Sequence, residues 1–193
     1  MTHSAEELLA VARLYWGADQ AYAFRQERSP EDLRYEALWA EKNKEGPRWG
    51  ALIKKLGEAL PDCNVWDYTP PLANPSFGVL VYPHHEKIMH RPQKVWVVAG
   101  YLSILAPVYT VHCVRKEYLG NQLRSAKVFL GPVPLELQGI ADTVARHIEA
   151  EYGATALPLE IAQTPVPLYV NLMQPPETTL FHALFTSEPG NIL

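Results

Sequence analysis

Apolar residues recur every three or four positions through the first third of the chain, which is the spacing of amphipathic helices. A capping box at residues 4–7 predicts a first helix that continues to about residue 28. Ser29, followed by proline, is a typical start for a second helix, and Gly46-Pro47 is expected to end it. The same apolar spacing predicts a third helix over residues 48–60.

The pattern then changes to runs of β-branched and aromatic residues separated by proline, glycine and asparagine, which is typical of strands and turns. Strands are expected at residues 65–68, 77–82, 94–105, 108–118 and 126–130. A long amphipathic helix is expected over residues 137–152, with Gly153 as its left-handed stop. Residues 179–186 are expected to form a late strand that joins the sheet.

These elements together predict an α+β fold. It has an N-terminal helical third, then a mostly antiparallel sheet with one long late helix packed on a face. A chain of 193 residues with 48% apolar content can bury the core of one domain, so a single domain is expected over residues 1–193. The change of pattern divides it into a helical subdomain at about 1–61 and a sheet-rich subdomain at about 62–193.

Charge is divided unevenly along the chain, although the net formal charge is only −4. After residue 127 the only Lys or Arg is Arg146. The same part of the chain carries seven acidic residues: Glu136, Asp142, Glu149, Glu151, Glu160, Glu177 and Glu188. The preceding 127 residues carry sixteen basic and fourteen acidic residues. An acidic surface attracts basic partners and repels nucleic acid, so the C-terminal third is expected to take part in association.

Several functional classes are disfavoured by the composition. No apolar run is long enough for a membrane span, and no signal peptide begins the chain, so a cytoplasmic protein with no membrane association is expected. Cys63 and Cys113 lack metal-site spacing and are expected to be reduced thiols. The basic residues near Lys94 contain no pair of stacking aromatics, which disfavours nucleic-acid binding. No cofactor is expected.

Three histidines in the connection between the second and third predicted strands form the clearest polar cluster. His84, His85 and His90 lie there with Glu86, and a transition metal needs three or four such groups at one point. The spacing leaves three interpretations open: a metal site, a binding loop or a solvated hairpin loop.

The chain contains none of the common catalytic motifs, and no catalytic residue is assigned. His112 and Cys113 are adjacent in a predicted strand, so their side chains point to opposite faces and cannot act together. An alternative function remains: a small hydrolase or transferase whose site lies near residues 84–90, where Asp67 and Asp19 would contribute.

The leading hypothesis is a non-catalytic binding protein with a basic protein partner. In its mild acidity, aromatic content and α+β layout, the chain resembles the immunity proteins that neutralise bacterial polymorphic toxins. The resemblance implies a tight complex with a toxin. The candidate contact residues are Glu149, Glu151, Glu160 and Glu177, with Trp66 and Tyr68 as anchors. The alternative is that these acids are ordinary hydrated surface residues that contact no partner. A second alternative is an assembly subunit that dimerises through an exposed strand.

Overall fold

The computed structural model describes residues 3–19, 28–70, 72–83, 94–120, 122–171 and 173–192. The helices are α1 (Ala5–Ala12), α2 (Pro30–Lys42), α3 (Gly46–Ala59), α4 (Gln138–Tyr152), α5 (Leu159–Ala162) and α6 (Leu180–Leu184). The strands are β1 (Cys63–Asp67), β2 (Ser76–Pro83), β3 (Lys94–Ser103), β4 (Val108–Leu119), β5 (Gln122–Phe129) and β6 (Thr155–Ala156). The architecture is α+β with a helical N-terminal region, as the hydrophobic pattern predicted.

The sheet is an antiparallel meander with one parallel addition. Strands β1 to β5 are neighbours in chain order, and each pairs antiparallel with the next. The short β6 runs parallel to the beginning of β4, where Val108 lies beside Thr155. Since β5 pairs with the later part of β4, β5 and β6 both lie along the same side of that strand.

One face of the sheet, here called the helical face, is covered by α2, α3 and α4. The indole of Trp49 on α3 stacks on the Phe77 ring at 5.4 Å between centroids, and Trp39 on α2 meets the same ring edge-on. A Cβ atom at Gly100 would lie 2.7 Å from Cγ1 of Val144 on α4. A glycine at this position therefore lets the long helix approach the sheet closely.

The opposite face, here called the C-terminal face, is covered by α6 and the irregular chain that follows it. The His112 ring is stacked on Tyr101 and meets the Phe181 ring edge-on, so this basic side chain lies within an aromatic core. A Cβ atom at Gly190 would lie 3.3 Å from Val128 on β5, so the chain crosses the sheet there.

Local capping explains where three of the helices begin or end. Ser4 and Glu7 form the predicted capping box, and Ser29 forms a second one with Asp32. Gly153 ends α4 with φ of 64°, a left-handed conformation that glycine adopts without a steric penalty.

Two predicted helix boundaries are wrong. Helix α1 ends at Ala12 instead of near residue 28, and residues 13–19 are not helical. The indole nitrogen of Trp16 donates to the carbonyl of Ala183 at 2.9 Å, so tertiary packing outweighs the helical spacing there. Gly46-Pro47 does not end the second helix. Instead it opens α3, where proline costs nothing in the first turn.

The expected late strand at residues 179–186 is a short helix, α6. The main-chain N–H of Thr179 donates to Nδ1 of His182 at 3.1 Å, which caps this helix at its start. The apolar run that follows is buried on all sides, and such a run has no periodicity that distinguishes a strand from a buried helix. No helix in the described ranges is long and apolar enough to cross a membrane.

Candidate functional site

A cleft opens along β4 in the space between β5 and β6, here called the β4 cleft. Its volume is about 220 Å³. Apolar and small side chains from β4, the chain after β5, α4 and α5 form most of its lining: Tyr109, Thr110, Val111, Leu130, Val133, Gln138, Ala141, Asp142, Ala145, Ala156, Leu157, Leu159, Ala162 and Phe181.

The cleft exists because β5 and β6 pair with different parts of β4 and both end before they reach each other. The parallel ladder continues only as far as Leu157, whose N–H donates to the carbonyl of Tyr109 at 2.8 Å. Pro158 follows and the chain turns into α5. From the other direction, the pairing of β5 ends where Phe129 lies opposite Cys113. Residues 110–112 consequently have no strand beside them on this side within the described ranges.

The main chain of Val111 faces this gap. The carbonyls of Pro107 and Tyr109 both point toward β6, since they accept from Thr155 and Leu157. Peptide groups alternate sides along a strand, so the N–H and C=O of Val111 point in the same direction. Neither group has a hydrogen-bond partner in the part of the chain that the structure describes. Such unpaired strand groups are available to another extended chain.

Three carboxylates, here called the acidic rim, belong to the helices that line the cleft: Asp142, Glu149 and Glu160. Asp142 lines the cleft directly, whereas Glu160 is an exposed residue next to the lining residue Leu159 on α5. Glu149 accepts a 2.5 Å hydrogen bond from the hydroxyl of Tyr109, another lining residue. Burial, followed by this bond to Glu149, raises the pKa of the Tyr109 hydroxyl, so the phenol remains a neutral donor.

Positive charge is scarce around the acidic rim. None of the described lining residues is basic. The guanidinium of Arg146, next to the lining residue Ala145, bonds back along α4 to the Asp142 carbonyl at 3.4 Å and to the Thr143 hydroxyl at 3.3 Å. The surroundings of the cleft therefore favour a positively charged ligand.

The structure distributes the four acids of the sequence prediction over different surroundings. Glu149 bonds to the lining residue Tyr109 and Glu160 is next to the lining residue Leu159, although neither lines the β4 cleft itself. Glu151 points instead to α3 and forms ion pairs with Lys55 at 2.7 Å and Arg48 at 3.4 Å. The hydrogen bond from Lys55 is the largest cause of the lowered pKa of Glu151. Glu177 is exposed in the turn before α6 and is not part of the cleft lining.

The two aromatic candidates lie at the other edge of the sheet. Trp66 is 60% exposed on β1, where it pairs with Leu80 of β2, three strands away from β4. Tyr68 is half-buried, and its hydroxyl donates to the carbonyl of Asn191 at 2.7 Å. The structure therefore does not bring the six predicted contact residues onto one surface, and their role as contacts stays a prediction.

The histidine prediction concerns residues that lie outside the described ranges: His84, His85 and His90. Among the described residues, no group of three His, Cys, Asp or Glu side chains could hold a metal ion. Asp67, expected to help an enzymatic site, accepts a 3.3 Å hydrogen bond from the indole of Trp49. Asp19 is exposed, beyond the end of α1.

His112 and Cys113 are both fully buried on β4, with their side chains on opposite faces of the sheet, as the alternation predicted. Burial, and then the charge of Glu136, raises the pKa of the Cys113 thiol to about 11. A thiol with this pKa is protonated near neutrality, and only the thiolate is a good nucleophile. Cys113 is a core residue.

Sequence reasoning missed the gap at Val111. The breakers that create it, Gly131-Pro132 and Pro158, are visible in the sequence. They mark strand ends, but they do not reveal that both ends lie along the same strand.

No protein-family model, curated protein or solved structure matches this chain.

Proposed function

We propose that this protein is a non-catalytic binding protein that takes an extended, basic segment of a protein partner into the β4 cleft. The observation that carries the proposal is the unpaired peptide of Val111, which faces an apolar cleft with an acidic rim. A partner strand can complete the sheet by hydrogen bonding to this peptide.

Each part of the cleft has a role in this proposal. The Val111 N–H and C=O supply main-chain bonds, which give affinity for any extended chain. Apolar contact with Leu157, Leu159 and Phe181 selects a segment with at least one apolar side chain. The acidic rim attracts basic side chains, which chiefly accelerates association and selects the partner.

Charge on the neighbouring strand argues for a different chain rather than a second copy at the exposed edge. Strand β5 is exposed from Gln122 to Lys127 and carries Arg124 and Lys127. Charged side chains along an edge strand, lysine above all, are a common protection against pairing with a second copy at that edge.

Three variants test the proposal in capture from lysate of the source cells. Ala145→Phe fills the cleft, and Asp142→Asn with Glu160→Gln removes two charges from the acidic rim. The matched control, Glu41→Gln with Glu58→Gln, removes two exposed charges from α2 and α3. We expect the wild type and the control to retain the same basic protein and Ala145→Phe to lose it.

Kinetics and amide exchange then test the mechanism. With the captured partner, the neutralised rim should slow association and reduce its salt dependence, while the control should change neither. Exchange of the Val111 amide hydrogen should slow in the complex. Equal binding by Ala145→Phe and the wild type, or unchanged exchange at Val111, would contradict the proposal.

Within this proposal, the resemblance to immunity proteins makes a toxin the expected partner. A captured partner with an activity harmful to cells should lose that activity when this protein is added, and Ala145→Phe should fail to inhibit it. A partner with no such activity would leave the binding function in place and remove the immunity role.

A further inference from the structure

A second cavity, here called the α3 hollow, lies between the α2–α3 junction, the end of α4 and the turn from β3 to β4. Its volume is about 300 Å³. At about 30 Å³ for each liquid water, this space would accommodate about ten waters, or a ligand of about ten non-hydrogen atoms. The hollow lies outside the β4 cleft, since the two cavities share no lining residue.

The floor of the α3 hollow is apolar and belongs to the protein core. Phe77, Leu102, Ile104 and Ala106 all line it, and each is at least nine-tenths buried. Phe77 is held in place by the indoles of Trp39 and Trp49. An apolar group on this floor would be removed from water without any rearrangement of the core.

One wall of the hollow carries charge. The guanidinium of Arg48 lies 3.4 Å from Glu45 and 3.4 Å from Glu151, and it covers the ring of Tyr152 at 4.3 Å. Arg48 is therefore fully engaged. The Lys42 ammonium lies 3.8 Å from Glu45, which is the longest of these ion-pair distances. It can therefore form shorter bonds with a ligand. The charged lining residues sum to +1, and because Glu151 outside the lining also offsets Arg48, Lys42 is the lining cation left to attract a single anionic group.

Tyr152 adds a hydrogen-bond donor at the same wall. Its hydroxyl oxygen is buried without a hydrogen-bond partner in the described part of the chain, although most buried polar atoms have one. Burial is the largest cause that raises the pKa of Tyr152 to about 12, so the hydroxyl keeps its proton near neutral pH. Because Tyr152 lines the hollow, an acceptor bound there would satisfy this donor once the side chain turns its hydroxyl toward the acceptor.

We propose that the α3 hollow binds a small carboxylic acid with an apolar ring or chain. The carboxylate accepts from the Lys42 ammonium and the Tyr152 hydroxyl, and the apolar part lies on the floor formed by Phe77 and its neighbours. A phosphate dianion fits less well, because the charged residues of the lining sum to only one positive charge.

The test uses 3-phenylpropionate as the probe, titrated into the full chain and followed by amide chemical shifts. We expect saturable binding in the millimolar range or tighter, with shifts at Tyr152 and at the β3–β4 turn. The neutral amide 3-phenylpropionamide has the same shape and should bind about ten-fold more weakly. Inorganic phosphate should produce no saturable shifts.

Two variants make the test specific. Tyr152→Phe deletes only the unpartnered hydroxyl, so it should leave the melting temperature unchanged and weaken 3-phenylpropionate binding about ten-fold. Lys42→Gln should weaken binding by a similar factor, whereas Lys44→Gln, an exposed neighbour that does not line the hollow, should not. Equal affinity for the acid and the amide, saturable binding of phosphate alone, or unchanged affinity in Tyr152→Phe would overturn the proposal.

Discussion

The two faces of the central sheet are covered by different kinds of structure, and they carry different side chains as a result. On the helical face, α3 and α4 satisfy their own main-chain groups, so the sheet can present apolar residues and Gly100 to them. On the C-terminal face, much of the cover is irregular chain whose carbonyls need donors from elsewhere.

The C-terminal face supplies those donors from side chains. Ser76 and Tyr68 donate to the carbonyls of Phe185 and Asn191, each at 2.7 Å, and the buried Lys116 ammonium donates to that of Ile192. The structure that covers a face therefore decides whether its buried side chains are apolar or polar. Four experiments test this difference between the two faces.

The largest effect is expected from Phe181→Ala on the C-terminal face. Phe181 is 1% exposed and contacts the rings of His112, His182 and Phe185, so truncation leaves a cavity in the aromatic core. The free energy of unfolding should fall by about 3–5 kcal/mol in urea denaturation. A loss below about 1 kcal/mol would show that α6 is not packed on the sheet.

The next effect concerns the buried His112 ring. Burial is the largest cause that lowers its pKa to about 4 from an ordinary value of 6.5, and an interaction with the main chain of Pro189 opposes this shift. The unfolded chain therefore takes up a proton at a higher pH than the folded chain does. The contribution of His112 to the free energy of unfolding should be constant above about pH 6.5 and should fall by about 3 kcal/mol as pH drops to about 4.

The measurement for His112 is urea denaturation at several pH values, compared with His112→Phe, which cannot titrate. The variant should lose the pH dependence that this side chain contributes between pH 4 and 6.5, whatever its overall stability. An identical slope in both proteins would mean that His112 titrates normally and that the C-terminal face is open to water.

A smaller effect is expected from Gly100→Ala on the helical face. The added Cβ would lie 2.7 Å from Val144 and 3.0 Å from Val79, and both side chains are β-branched and stiff. Separation of α4 from the sheet should cost about 1–3 kcal/mol of unfolding free energy. The matched control is Gly57→Ala in α3, where nothing lies within 4 Å, and it should stabilise by about 0.5–1 kcal/mol. If both changes stabilised the protein, close packing of α4 would be disproved.

The smallest effect is expected from Tyr68→Phe, which removes one donor from the C-terminal face. The Asn191 carbonyl loses its bond from the hydroxyl but lies near solvent, so unfolding free energy should fall by about 1 kcal/mol. Leu80→Val, at an apolar position on the same face, is a size-matched comparison. A wild-type value for Tyr68→Phe would indicate that the irregular cover does not depend on this bond.

Much of the helical region could be predicted because its signals are local. The capping boxes at Ser4 and Ser29 act within one turn, and Gly153 ends α4 through its own φ angle. The end of α1 could not be predicted, since it depends on Trp16 reaching a carbonyl 167 residues away. The same limit applies to α6, whose apolar residues are buried from every side.

The candidate site likewise has some features that could be predicted from the sequence and others that could not. The excess of acid after residue 127 is a property of the sequence, and it made Glu149 and Glu160 candidate contact residues. Spacing could not reveal that Glu151 turns to Lys55 and Arg48 on α3, because those partners are 96 and 103 residues away.

The sequence alone predicts the α+β class, most strand positions, the capped helix starts and the acidic character of the C-terminal third. Each of these depends on residue type and on spacing over a few positions, which act before the chain is compact. Tertiary packing was needed to bring the ends of β5 and β6 to one place along β4. It also left the Val111 main chain and the Tyr152 hydroxyl without a hydrogen-bond partner among the described residues. Those features arise where segments distant in sequence approach each other, and no local preference encodes that approach.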